Sequence, residues 1–254
     1  MSFNVAATSY DRFMGRFSRP LSIEFADWLD LSAGQLALDV GCGPGALTAQ
    51  LVSLLGAEAV AAVDPSLPFV EAAKERFPGV EVHIGSAELL PFDDDTFDAG
   101  LAQLVVHFMG DPVAGLREMA RVTVPGGVVA ASVWDHAGDS GPLSTYWRAV
   151  RDLDPAATDE SHLAGSREGH LAELFAAAGL VDIEPGKLTV TVGFDSFADW
   201  WEPYTLGVGP SGAYVAGLDE SRRAALMAHC EELLPPAPFD VLASAWCVRA
   251  RVPE

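Results

Sequence analysis

The chain is poor in cysteine, in basic residues and in long apolar runs. Its three cysteines, Cys42, Cys230 and Cys247, are too few and too scattered for a disulfide framework or a zinc site, so they read as reduced thiols and no metal is expected. Fifteen basic residues stand against 36 acidic ones, a formal net charge of -21. A surface that acidic repels phosphate backbones, so nucleic acid is not expected as a partner. No stretch reaches ~18 consecutive apolar residues, so no membrane span is expected. MSFNVAATSYDRF lacks the charged-then-apolar pattern of a secretory leader, which points to the cytoplasm. There is no G-x-S-x-G elbow and no Walker loop.

What is present is a globular composition, half of it hydrophobic, in a chain of 254 residues that can bury one large core. Residues 1–35 read as a mixed, helical segment with aromatic and basic residues in YDRFMGRFSRP. Strands and helices then alternate. QLALDV ends in a strand and a glycine turn, and ALTAQLVSLLG follows as a helix with Leu47, Leu51, Leu54 and Leu55 on one face. Further strands are predicted at 59–63, 80–84, 97–102 and in VVAASVW after Pro125-Gly126-Gly127. Helices are predicted after Ser66, from Asp111-Pro112 to about Val122, and over 167–179. KLTVTVGF (187–194) and VLASAWCVRARV (241–252) alternate as late strands without a clear helix pair between them, which suggests an antiparallel edge. The pattern is that of an α/β protein, a mostly parallel sheet with helices on both faces. Two segments, about 136–165 and 195–238, fit the alternation poorly and read as insertions that cover a site.

The most informative segment is Asp39-Val40-Gly41-Cys42-Gly43-Pro44-Gly45. Glycines after a strand let the backbone come close to a ligand, since no Cβ intervenes. Gly41, Gly43 and Ala46 also fit the dinucleotide spacing G-x-G-x-x-A. Asp39, inside the strand end, can meet an ammonium group but would repel a pyrophosphate, and Gly45 adds a third glycine. Asp64 ends the second strand about twenty residues further on, where an acidic side chain accepts hydrogen bonds from ribose hydroxyls. A ribose alone does not separate the two cofactor classes. An NAD-linked oxidoreductase and a non-catalytic nucleotide-binding protein therefore stay open at this point.

The run ALDVGCGPG, AAVDPS, GSAELLPFDDDTFDAGLAQLVVHF and LREMARVTVPGG resembles the class I S-adenosylmethionine-dependent methyltransferases, and within them the type 11 branch, over roughly residues 36–134. The resemblance implies a Rossmann-like seven-stranded sheet in the order 3-2-1-4-5-7-6 with strand 7 antiparallel. It implies a domain over 36–254, with residues 1–35 covering the cofactor S-adenosylmethionine. It implies methyl transfer to an O, N or C atom of a small, hydrophobic or aromatic metabolite. Residue by residue, Gly41, Cys42, Gly43 and Gly45 match the loop under the methionine part, and Asp39 the acid near its amino group. Asp64 matches the ribose acceptor and Pro65 a neighbour of the adenine. Ser86 and Ala87 match a pair beside the adenine that is often Asp-Ala, so Ser86 or Glu88 is expected to replace the missing acid. Gln103 falls near the methionyl group. The motif of amino-group DNA methyltransferases is absent.

Other expectations rest on position. His107, just past the fourth strand, is the candidate proton acceptor. The remaining histidines read as structural or exposed. In similar methyltransferases an N-terminal segment covers the cofactor, so the resemblance makes Tyr10 and Arg19 candidate cofactor contacts, Arg19 as partner of the carboxylate. Trp134, Tyr146, Trp200, Trp201 and Tyr204 are expected to wall an apolar substrate chamber. Nothing in the sequence bears on the oligomeric state.

Overall fold

The apolar runs pair into one seven-stranded sheet in the computed structural model, which describes residues 7–254. The strands are β1 (Ala37–Val40), β2 (Val60–Asp64), β3 (Glu81–Ile84), β4 (Phe97–Gln103), β5 (Thr123–Trp134), β6 (Val181–Phe194) and β7 (Phe239–Arg251). Their order is β3-β2-β1-β4-β5-β7-β6. β7 runs antiparallel to both of its neighbours, while β1 to β5 are mutually parallel. This is the Rossmann-like order that the family resemblance implies.

Among the described residues ten α-helices surround it: α1 (Ala7–Phe13), α2 (Gly15–Leu29), α3 (Ala46–Leu55), α4 (Leu67–Arg76), α5 (Pro112–Val122), α6 (Ser144–Leu153), α7 (His170–Ala178), α8 (Phe197–Trp201), α9 (Gly209–Gly217) and α10 (Glu220–Leu233). β1 is buried along its whole length, as a strand covered on both faces must be. On one face Phe25 and Leu29 of α2, Leu47 and Leu51 of α3, and Val70 and Ala73 of α4 pack over Ala37, Ala62 and Leu101. On the other, Leu116 and Met119 of α5 and Leu171 and Phe175 of α7 pack over Leu38, Val63 and Val129. Asp111 begins α5 as the sequence suggests, its carboxylate accepting from the Ala114 N–H at 3.0 Å.

The two irregular segments fold together into a helical cap at the carboxyl edge of the sheet. α6 arises after β5, and α8, α9 and α10 connect β6 to β7. Tyr146 of α6 stacks on Tyr204 with ring centroids 4.4 Å apart, and His229 of α10 meets Asp152 of α6 at 2.9 Å. Phe13 and Phe17 of the N-terminal helices join the same core. The N-terminal segment expected over 1–35 is helical over Ala7–Phe13 and Gly15–Leu29 and turns over 30–35 into β1; its first six residues lie outside the described residues.

β6 is longer than its sequence pattern suggests. It begins at Val181, running through Glu184-Pro185-Gly186 with a register shift between Val181 and Glu184. Proline is tolerated there because β6 is an edge strand, whose outward N–H groups need no partner strand.

Candidate functional site

The turn after β1 is pinned to β2 before any ligand is considered. The N–H groups of Gly41 and Cys42 both donate to the Val63 carbonyl, at 2.7 and 3.0 Å. Gly41, Gly43 and Gly45 all take positive φ, the conformation that glycine adopts without penalty. The three glycines serve different ends. A Cβ on Gly41 would strike Val105 and one on Gly45 would strike the Phe77 ring, whereas one on Gly43 would meet nothing and would project into open space.

That space is a cleft of about 520 Å3 at the carboxyl edge of the sheet. The turn residues Gly41, Cys42, Gly43 and Pro44 form its floor. Asp39, Asp64, Pro65, Ser86, Ala87, Glu88 and Gln103 line it, with Tyr10 and Ser18 closing it from the N-terminal helices. Most of the cofactor residues singled out in the sequence therefore converge. Two do not. Gly45 lies outside the lining, because it is the close approach of Phe77 that requires a glycine there. Arg19 is also outside the lining: its guanidinium pairs with Asp11 at 2.9 Å and is more than half exposed.

The acidic pair at the heart of the cleft is held by specific donors. The Thr48 hydroxyl donates to Asp39 Oδ2 at 2.6 Å, and Asp39 is 1% exposed. Burial pushes the Asp39 carboxyl up to about 7, the Thr48 hydrogen bond opposing that rise and the nearby Asp64 adding to it. Asp64 accepts from the Gly43 N–H at 2.9 Å and the Ser66 N–H at 2.8 Å. Burial raises its carboxyl too, against those two donors. Gln103 donates to the Ser18 carbonyl at 2.9 Å, leaving its Oε1 buried with no partner. Glu88 Oε1 accepts from the Gly110 N–H at 2.7 Å, which ties that carboxylate to the turn before α5.

A second, smaller cavity of about 40 Å3 adjoins the cleft, and Tyr10, Leu104 and Phe108 line both. Its apolar wall includes Phe13, Met14, Leu143 and Val208, and its polar lining His107, Trp134, His136, Glu160 and Ser211. Burial holds the His107 imidazole well below its usual pKa, with neighbouring His136 acting in the same sense. The two rings lie 6.0 Å apart.

Four aromatics expected on a chamber wall line neither cavity. Tyr146, Trp200, Trp201 and Tyr204 are buried in the cap core, where Tyr204 contacts all three of the others. Tyr146 spends its hydroxyl on the Ser211 carbonyl at 3.0 Å. Their helical spacing marks one face of the segment, but that face packs inward on other aromatics. Of the five, only Trp134 reaches a cavity. His136, Glu160 and Ser211 are lining residues the sequence reading passed over. The signal available for His136 was its place immediately beyond β5, at the edge where this type of sheet binds ligands.

Residues 38–131 match the family described as Methyltransferase domain. An uncharacterized methyltransferase of Mycobacterium tuberculosis is 38% identical over 135 residues, 53% of this chain and 52% of that one. The match thus spans about half the length of that relative. A demethylmenaquinone methyltransferase of Paenarthrobacter aurescens is 31% identical over 175 residues, 62% of this chain and 66% of that one. Among solved structures, a phosphoethanolamine N-methyltransferase of Haemonchus contortus, in complex with phosphomonomethylethanolamine and S-adenosylhomocysteine, shares the fold. Its TM-score is 0.59 at 17% identity, covering 100% of this chain and 61% of that one.

Proposed function

Starting from a chain whose residues 38–131 belong to the class I S-adenosylmethionine-dependent methyltransferases of the type 11 branch, we propose that it methylates an O, N or C atom of a small, hydrophobic or aromatic molecule. The observation that carries this reading is the meeting of two cavities at Tyr10, Leu104 and Phe108. One has the size and polarity for the cofactor, and the other has an apolar wall for an acceptor.

The residues present fit S-adenosylmethionine. When bound, it supplies a methyl group already activated by a sulfonium. Asp39 offers a carboxylate to the ammonium group, and the unpartnered Gln103 Oε1 is a second acceptor nearby in the same cleft. Gly43 admits the ligand against its backbone because no Cβ fills that side. Asp64 keeps lone pairs beyond its two backbone donors for the ribose hydroxyls. Pro65, Ser86, Ala87 and Glu88 flank the place of the base. Arg19, held by Asp11, has no part in this reading, so the carboxylate of the ligand must find backbone or solvent donors instead.

The work left to the protein is to align a nucleophile with the S–CH3 bond and keep water out. Such positioning supplies about 7–11 kcal/mol in favourable cases. Burial keeps His107 neutral, the form that accepts a proton from an oxygen or carbon acceptor. Calorimetric titration with S-adenosylmethionine, S-adenosylhomocysteine and NAD tests the cofactor assignment. Binding of the first two without NAD is expected, and preference for NAD would overturn it.

The cap over 136–165 and 195–238, together with the helices before residue 35, belongs to this reading as the cover of the acceptor side. Its aromatic core gives the cover rigidity, and its inner surface near Val208 and Ser211 meets the second cavity.

A further inference from the structure

Glu160 is a buried carboxylate without a counter-charge among the described residues. It opens the short helical turn Glu160–His162 between α6 and α7 and is 4% exposed. Its Oε2 accepts from the Trp147 indole N–H at 2.8 Å. The charged residue before it, Asp159, has the same sign and is itself held by Arg151 at 2.6 Å. Burial pushes the Glu160 carboxyl up to about 7, with Asp159 adding to the rise and the Trp147 hydrogen bond opposing it. A carboxylate kept in such a place costs free energy unless a cation meets it.

The second oxygen is where a cation can do so. Glu160 lines the cavity of about 40 Å3 beside the cleft. The unpartnered atoms of four other lining residues, His107 Nδ1, Trp134 Nε1, His136 Nε2 and Ser211 Oγ, are sealed within the protein and reach no guest. Glu160 Oε1 differs from them: it accepts no hydrogen bond from a described residue, and it is not sealed. Trp147 fixes the other oxygen, and its own ring packs edge-on against Tyr146 with centroids 5.1 Å apart. The carboxylate therefore presents one oxygen in a set direction.

The rest of the lining suits a cation with an apolar body. Tyr10, Phe13, Phe108 and Trp134 supply aromatic side chains, and the faces of such rings attract positive charge. Glu160 is the only carboxylate among the described lining residues, and no Lys or Arg stands with it. Burial keeps His107 and His136 neutral, His136 at about 4, so neither ring repels a cation. An anion would face the carboxylate with nothing to offset it. The volume exceeds the roughly 10–15 Å3 that one water needs and takes an ammonium group with the carbon that bears it. The remainder of the molecule passes through the mouth at Tyr10, Leu104 and Phe108.

We propose that Glu160 anchors a protonated amino group of the methyl acceptor in this cavity, and that the acceptor is a small amine with an apolar body. The ammonium donates to Oε1 while Trp147 keeps Oε2. Glu160 selects the acceptor and has no part in holding the cofactor, whose cleft it does not line.

This inference rests on the methyltransferase reading for what lies beyond the shared mouth, and the experiment separates the two. S-adenosylhomocysteine binding is measured first; its failure counts against the cofactor reading alone, and the rest proceeds on the free protein. Benzylammonium, toluene and benzoate are then titrated at about pH 7, where the Glu160 carboxyl is part ionised. The Glu160 carboxyl carbon is followed by NMR of isotopically labelled protein. Benzylammonium is expected to move that resonance to its ionised position and to bind at least about tenfold more tightly than the other two. Glu160→Gln keeps an acceptor for Trp147 and removes only the charge. It is expected to abolish the preference for benzylammonium over toluene while leaving S-adenosylhomocysteine affinity unchanged. If that variant does not fold, the resonance and the selectivity of the parent protein decide the matter. A Glu160 resonance that ignores benzylammonium, equal or tighter binding of toluene or benzoate, or a preference that survives Glu160→Gln would overturn the proposal.

Discussion

The carboxylate of Asp64 accepts a hydrogen bond from the backbone N–H of Gly43, 21 residues away in sequence, at 2.9 Å. The end of β2 is thereby tied to the turn that follows β1, and the acid proposed to hold the ribose also shapes the floor beneath the methionine part. Replacing it removes both functions. Asp64→Ala is expected to weaken S-adenosylmethionine by about 1.5–3 kcal/mol, the worth of hydrogen bonds to a charged acceptor. Asp64→Asn retains an acceptor for Gly43 and is expected to lose less. Calorimetry showing parent-like affinity for the alanine variant would remove Asp64 from the site.

Two glycines of the same turn are expected to respond differently to the same change. Gly43→Ala places a methyl group in the cleft and should cost at least about tenfold in cofactor affinity, or 1.4 kcal/mol. Gly45→Ala drives a methyl group into Phe77 and should cost about 1–3 kcal/mol of stability. Denaturant unfolding alongside ligand titration distinguishes them. The same loss of stability in both, with cofactor affinity untouched in both, would refute the division.

The raised Asp39 carboxyl makes cofactor binding pH-dependent. In the free protein Asp39 holds its proton below about 7 because burial disfavours the charge. An ammonium partner favours the carboxylate, so its pKa falls on binding and a proton is released. Affinity for S-adenosylhomocysteine should therefore decline as pH drops below about 7, approaching about tenfold per pH unit, and level off above it. Asp39→Asn should flatten this dependence as well as weaken binding. The raised Asp64 carboxyl acts in the same direction and would leave a residual slope. A wild-type affinity constant across that range would contradict the assignment of Asp39.

Trp200 belongs to the cap core, its ring tilted against those of Phe197 and Tyr204, so its loss should read as lost stability. Trp200→Ala is expected to cost about 3–5 kcal/mol, the range for deleting a large buried ring. Cofactor affinity of the folded variant should match the parent, because Trp200 does not line the cleft. A variant with parent-like thermal stability would mean that the ring is not packed as described.

The glycine turn and the acid ending β2 were legible in the sequence because both are local: a strand, a turn and a helix start within a short stretch. The late strands were legible by alternation, except where Pro185-Gly186 inside β6 imitates a turn. The aromatic chamber was misread because helical spacing reports that a face is shared and not what it faces. Trp200 and Trp201 face Tyr204. Arg19 was misread for a related reason, since position beside the site does not decide which acid a guanidinium meets; Asp11 is on the neighbouring helix. The second cavity was legible only in part, through Tyr10, His107 and Trp134. His136, Glu160 and Ser211 come from three separate stretches, joined only when the two insertions fold against each other.

The central claim is transfer of a methyl group to a small molecule, and it is tested most directly by following the group itself. The protein is incubated with methyl-labelled S-adenosylmethionine and a pool of small amine-bearing, hydroxylated and aromatic molecules, and the products are read by mass spectrometry. The account predicts a small molecule heavier by one labelled methyl group, formed only with protein present and lost in Asp39→Ala. Cofactor that binds while its label appears in no small molecule of the pool would contradict it, leaving a protein that holds S-adenosylmethionine without using it.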